Sequence, residues 1–348
     1  MKPALFVTTE VPPDRVGAFQ ALAARTPVEF ALFGGGLHAT GGVGADVHGL
    51  PARIVTQREV YGLAASGDYR AVLAGTAGRT ALPAAWLGAE RARIPFVLWT
   101  ALWAHPRSVA HAPGALLLRL LYRRASTVVT YGEHVSRFAE AHGARDPIVA
   151  PQAVDQDFWG GLADEPPPAG TPPRILYVGR DDPGKGVGTL LEAWERGGFA
   201  VAGAELVLAG PDASRASETA GVTALGLVSP ERVRQELRDS VLLVVPSERT
   251  ATFREPWGLV VNEAMHARRL VAASTQVGAV AGGLVEDERT GLVFRAGDPA
   301  ALAAALHRGL EDAQLRGRLA SAGHERARLF SWDAWAATVA RALGGSLA

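Results

Sequence analysis

Cysteine is absent from the 348-residue sequence. Disulfides, thiolate metal sites and cysteine nucleophiles are therefore excluded. Net charge is absent too, because 35 Lys and Arg balance 35 Asp and Glu. That argues against a nucleic-acid binder relying on bulk positive charge, while a local basic patch stays compatible. The apolar runs fall well short of the roughly 18 residues of a membrane-spanning helix. The apolar stretch from Met1 to Val7 ends at Thr8-Thr9-Glu10, too short for a secretory signal. A bacterial cytoplasm fits, although a chain without cysteine fits any compartment. Lysine is nearly missing, with only Lys2 and Lys185 among the 35 basic residues. Asn262 is the single asparagine, and Met265 the only methionine after Met1. Abundant Ala, Gly and Arg suggest a G- and C-rich genome. A residue type that the chain otherwise avoids then marks positions where chemistry calls for it.

What is present is globular. Hydrophobic residues make up 48% and charged residues 20%, and the length suits two domains with two cores. Near-continuous apolar runs at 4–7, 28–33, 71–74, 96–99 and 127–130 read as strands. Helical periods run between the later ones, as at 116–124 and 134–142. Such strands alternating with helices indicate a parallel sheet covered on both faces. The Pro/Gly-rich stretch 160–173 then breaks the pattern and reads as a linker. The alternation restarts with strands at 174–178, 205–209, 241–245, 270–273 and 292–294, and helices at 188–195 and 259–267. The chain is helical from Pro299 onward. The fold class is α/β: two doubly wound, Rossmann-like domains facing a cleft, with ligands beyond the carboxyl ends of the strands.

Four motifs point elsewhere and are set aside. Gly34-Gly35-Gly36-Leu37-His38-Ala39 follows a strand but opens no helix, so it reads as a flexible loop rather than a dinucleotide fingerprint. Gly179 to Lys185 matches G-x-x-x-x-G-K, but Gly186 replaces the Ser or Thr that a P-loop needs for magnesium. Asp155 and Asp157 are an acidic pair without supporting ligands, read as solvated linker charge. Leu116 to Arg124 is apolar and basic. It suits a membrane surface, or, as the preferred reading, a core helix with one exposed basic edge.

Two constellations carry chemistry. Arg180, Lys185 and Gly186 follow the strand ending at Val178, and a forked guanidinium with a point charge suits a diphosphate. Glu255-Pro256-Trp257-Gly258-Leu259-Val260-Val261-Asn262-Glu263 places a helix start beyond another strand, where backbone N–H groups hold an anion. Glu255 lies at or before the helix and Glu263 within it. Eight residues of helix would separate them by about 12 Å, against about 5.5 Å in retaining glycosidases. The two glutamates therefore hold different parts of one extended ligand.

Arg-x4-Lys-Gly after a strand, then Glu-x7-Glu about 70 residues on, resembles the retaining glycosyltransferases of family 4 (group 1), with the GT-B fold. The match extends through Val277-Gly278-Ala279, Thr290-Gly291-Leu292-Val293-Phe294 and Gly297-Asp298-Pro299. The resemblance implies an N-terminal acceptor domain over 1–158, a linker over 159–173 and a nucleotide-sugar domain over 174–330. A last helix over 331–348 would cross back to the N-terminal domain. It implies that Arg180 and Lys185 grip the diphosphate, that Glu255 contacts the transferred sugar and that Glu263 bonds the ribose hydroxyls. Backbone around Trp257, Gly258, Leu259 and Val260 would meet sugar and phosphate, and the turn at Gly226-Leu227-Val228 the base. His105 is a candidate for the family's N-terminal-domain histidine, with a packing role the alternative. Arg15, Tyr131 and Glu133 are acceptor-site candidates that also read as plain surface residues.

The implied activity is transfer of a sugar from a UDP-, GDP- or dTDP-sugar, with retention and without a metal or other cofactor. The acceptor would be a sugar, an antibiotic or other natural product, a lipid-linked glycan or a polysaccharide. No nucleic-acid partner is expected. A cytoplasmic location is expected, with weak peripheral contact at the inner membrane face as a variant. An epimerase or hydrolase on the same fold, or a silent nucleotide-sugar-binding subunit, are the alternatives.

Overall fold

The structure is a computed structural model that describes residues 1–34, 48–105, 111–168, 170–215 and 219–344. Most of the Gly34–Ala39 loop lies outside the described residues. The chain forms two compact units, one of Met1–Ala153 with Ser331–Ala348, the other of Val154–Phe330.

The first unit is built on seven parallel strands: β1 (Ala4–Thr8), β2 (Val28–Leu32), β3 (Ala52–Ile54), β4 (Val72–Gly75), β5 (Phe96–Thr100), β6 (Thr127–Thr130) and β7 (Ile148–Val149). Their order is β3-β2-β1-β4-β5-β6-β7. Side chains alternate along each strand, so β1 feeds two cores. Leu5 and Val7 face the helices Glu59–Ala65, Ala81–Ala92 and Ala112–Arg124. Ala4 and Phe6 face the helices Val16–Arg25 and Trp332–Ala342. This second core is aromatic. Phe19 stacks on Phe30 at 5.0 Å and on Trp335 at 5.7 Å between ring centroids. Each fully buried ring contributes about 2–3 kcal/mol. Gly17 is obligatory in this packing, because a Cβ there would lie 2.0 Å from the Trp332 ring.

The second unit carries six parallel strands: β8 (Arg174–Val178), β9 (Glu205–Ala209), β10 (Val222–Gly226), β11 (Leu242–Val245), β12 (Leu270–Ser274) and β13 (Leu292–Phe294). Their order, β10-β9-β8-β11-β12-β13, reverses direction between β8 and β11. That reversal is the switch point of a doubly wound sheet, where ligands bind beyond the strand ends. The stretch 160–173 belongs to this unit, as does the short helix Gln156–Gly160 before it. Asp155 is not idle solvated charge. Its carboxylate caps that helix, accepting from the N–H groups of Asp157 and Phe158, which satisfies two donors the helix start leaves unpaired.

Candidate active site

The parallel register of β8 and β11, with Tyr177 beside Val244, sets the segments 179–186 and 246–258 side by side at the switch point. Each begins where an apolar run stops. The first turns tightly into the helix Val187–Gly197 through Gly186 (φ 75°). A Cβ on Gly186 would lie 2.0 Å from the Pro246 carbonyl oxygen, so only glycine fits in both torsion and space. Gly184 (φ 93°) is pressed against Phe253 in the same way. The Glu248 N–H donates to the Gly184 carbonyl at 2.7 Å and ties the two segments by their backbones.

This brings Lys185 to Glu255, with Nζ 2.6 Å from Oε2. The pair is largely withdrawn from water, with 18% of the lysine and 8% of the glutamate side chain exposed. The Ser247 hydroxyl donates to the same carboxylate oxygen at 3.1 Å, and Nζ stands 5.3 Å from the centre of the Phe253 ring. Burial, then the Glu255 carboxylate, push the Tyr177 hydroxyl up. It stays a donor, to the Arg180 carbonyl at 2.9 Å. The Arg180 guanidinium pairs with Asp182 at 3.0 Å, both side chains about half exposed. A hollow of about 390 Å³ beside the loop is lined by Asp181, Gly184, Thr189, Arg215 and Glu248 among others.

Glu255 precedes the second helix rather than starting it. The helix runs Leu259–His266, entered through Gly258 at φ 87°. The helical spacing of about 12 Å between the two glutamates therefore does not apply. Glu263 is half-buried on the helix itself. The Trp257 ring is 2% exposed and donates Nε1–H to Asn262 Oδ1 at 2.7 Å. It thus fixes the helix entry from behind, and its carbonyl accepts from the Ala279 N–H at 2.8 Å. Leu259 and Val260 occupy the first turn, whose N–H groups lack intrahelical acceptors. Leu227 stands 83% exposed just past β10.

The other predicted residues lie in the first unit. Arg15 and Tyr131 meet there: the guanidinium carbon is 5.7 Å from the Tyr131 ring centre and 5.8 Å from that of Trp99. Arg15 is buried, donates to Gln152 and pairs with Asp14 at 3.5 Å. Burial pushes the Tyr131 hydroxyl up. Glu133 is exposed at the start of the helix Glu133–Ala141. His105 packs on Phe138 at 5.0 Å and on His142 at 4.9 Å. Burial, then His142 and Arg119, hold its pKa below the usual histidine value. Ser247, Phe253, Glu248 and Tyr177 were not anticipated. Ser247 lies just past the apolar run 241–245, a strand end that could have drawn attention to it but was not used. Among the described residues no group of three or more His, Cys, Asp or Glu is placed to hold a metal ion.

Residues 172–312 match the family model described as glycosyl transferases group 1. The chain resembles the group 1 glycosyl transferases. A D-inositol 3-phosphate glycosyltransferase of Nocardioides sp. (strain ATCC BAA-499 / JS614) is 38% identical over 109 residues, 30% of this chain. The match spans only 22% of that relative's length. In three dimensions the chain is similar to HepE of Anabaena, solved in complex with UDP. The TM-score is 0.78 at 20% identity, over 99% of this chain and 100% of that one. Sucrose-phosphate synthase of Thermosynechococcus elongatus gives a TM-score of 0.69 at 19% identity, over 98% of each chain. The fold is GT-B, with two Rossmann-like domains.

Proposed function

We propose that the protein transfers a glycosyl group from a nucleoside diphosphate sugar to an acceptor hydroxyl, with retention at the anomeric carbon and without a metal. The Lys185–Glu255 pair at the β8/β11 switch point carries this reading. A cation held 2.6 Å from a carboxylate, between two glycine-entered helices, suits the junction of a diphosphate and a sugar. Lys185 and the first-turn amides of Leu259 and Val260 take the diphosphate. Glu255, released from Lys185 by the incoming negative charge, accepts a sugar hydroxyl. Glu263 holds the ribose, and Leu227 lies against the base. Arg180 leaves Asp182 for a phosphate oxygen. Breaking the glycosidic bond builds charge on the leaving diphosphate, which these donors stabilise. The departing phosphate takes the proton of the acceptor hydroxyl as that oxygen attacks from the same face. UDP is the first nucleotide to try, since HepE was solved with it. The acceptor is a sugar, a natural product, a lipid-linked glycan or a polysaccharide.

Thermal-shift titration with UDP, GDP, dTDP and ADP, with and without EDTA, tests the donor site. One nucleotide raises the melting temperature, and EDTA leaves the shift unchanged. Lys185→Ala removes the shift and lowers turnover at least about 100-fold. Near-normal turnover in that variant, or release of free sugar without acceptor dependence, overturns the reading.

A further inference from the structure

We propose that the outer face of the helix Ala112–Arg124 docks on an anionic lipid surface. This goes beyond the donor-site reading and does not depend on it. The zero net charge conceals an asymmetry between the two units. The first carries 16 Lys and Arg against 11 Asp and Glu, the second 19 against 24. The surplus in the first unit is concentrated. Between Glu90 and Glu133 the sequence holds six arginines and no acidic residue.

The helix Ala112–Arg124 lies in the middle of that stretch. Leu118, Leu121 and Tyr122 face inward and are buried. On the opposite side Leu116 is 67% and Leu120 39% exposed, and Arg119, Arg123 and Arg124 are exposed beside them. At the helical repeat these five residues span an arc of about 140°. None of the three arginines forms an ion pair with a described residue. Arg91 and Arg93, exposed just before β5, extend the basic surface across the starts of neighbouring strands, because β5 pairs with β6, the strand that follows Arg124.

An anionic bilayer surface suits this combination. Guanidinium groups reach lipid phosphates while flanking leucines enter the boundary of the acyl chains. A nucleic acid would use the arginines and leave the leucines in water. The acidic second unit of another copy would also use only the arginines.

Flotation of the full chain with phosphatidylcholine vesicles, and with vesicles that add phosphatidylglycerol, tests the proposal. The protein floats with the anionic vesicles only, less so as salt rises. Arg119→Gln with Arg123→Gln weakens partitioning by about 25-fold, at about fivefold per arginine. Leu116→Ser with Leu120→Ser weakens it at least about tenfold. All four positions are exposed, so the melting temperature stays at the wild-type value and separates lost docking from lost folding. Equal recovery with both vesicle types, or unchanged recovery of either variant, overturns the proposal. So does lipid-free dimerisation lost in the arginine variant, which assigns the face to a second copy. Retention on single-stranded DNA without vesicle binding overturns it in favour of nucleic acid.

Discussion

Replacing Lys185 by methionine keeps most of the side-chain volume and removes the charge. Glu255, 6% exposed, then loses its ion-pair partner at 2.6 Å and keeps the Ser247 hydroxyl at 3.1 Å. Breaking a buried pair from one side costs about 3–5 kcal/mol. The lysine side chain is 18% exposed, so water screens part of the interaction, and about 2–3 kcal/mol is expected. For a unit of this size that is about 4–12 °C in Tm. Glu255→Gln costs less, because the ammonium group keeps both some water and the Phe253 ring face. The double variant is more stable than the sum of the two losses predicts, by about 2 kcal/mol. The assay is thermal melting of all four proteins, each with and without UDP. A nucleotide at 100 times its Kd adds about 2.7 kcal/mol to a competent site. The double variant thus recovers stability without recovering the nucleotide shift. Strictly additive losses would mean that the pair does not form in solution. A full UDP shift in Lys185→Met would remove Lys185 from the donor site.

Two further outcomes follow from the geometry. Gly186→Ala places a Cβ 2.0 Å from the Pro246 carbonyl at a φ of 75°. It should destabilise the protein by more than about 2 kcal/mol and abolish the UDP shift, and a variant that melts like the wild type would contradict the close approach. His266 is 2% exposed, and burial, helped by His324, pushes its pKa down to about 4. Above the ordinary histidine pKa it is neutral folded and unfolded, and contributes no pH dependence. Between about pH 6.5 and 4 only the unfolded chain takes up the proton, so stability falls with pH by about 3 kcal/mol in all. Urea denaturation across that window, with His266→Leu as reference, measures it; identical slopes in the two proteins would refute the assignment.

Central strands were legible in the sequence because burial on both faces leaves an unbroken apolar run, as in Ala4 to Val7 of β1 and in Leu242–Val245. Of the edge strands only Leu292–Phe294 was. Ala52–Ile54 and Val222–Gly226 border their sheets half in water, and Ile148–Val149 is only two residues long. The helix Pro230–Asp239 was missed because its ten residues bury little more than Val233, Glu236 and Leu237. In the candidate site the rarity of lysine singled out Lys185, and the glutamate spacing singled out Glu255. The contact between them was not legible, nor were Ser247 and Phe253, which close it. That contact is made by the register between β8 and β11, which pairs segments about 70 residues apart. The buried setting of Arg15 was equally hidden, since its partners Trp99, Tyr131 and Gln152 come from three later segments.

The return of Ser331–Ala348 to the first unit has a bearing on synthesis. During translation the sheet of the first unit emerges first, but the tryptophan that covers Phe19 and Trp99, Trp335, comes after the whole second unit in the sequence. The aromatic face of that sheet must therefore wait, open, while the whole second unit is produced. The second unit, continuous in sequence, has no such wait. Folding order and chain order are thus inverted, with the C-terminal unit able to finish first. Until the segment from Ser331 docks, the first unit keeps its aromatic face uncovered, the arrangement in which a chaperone has most to protect.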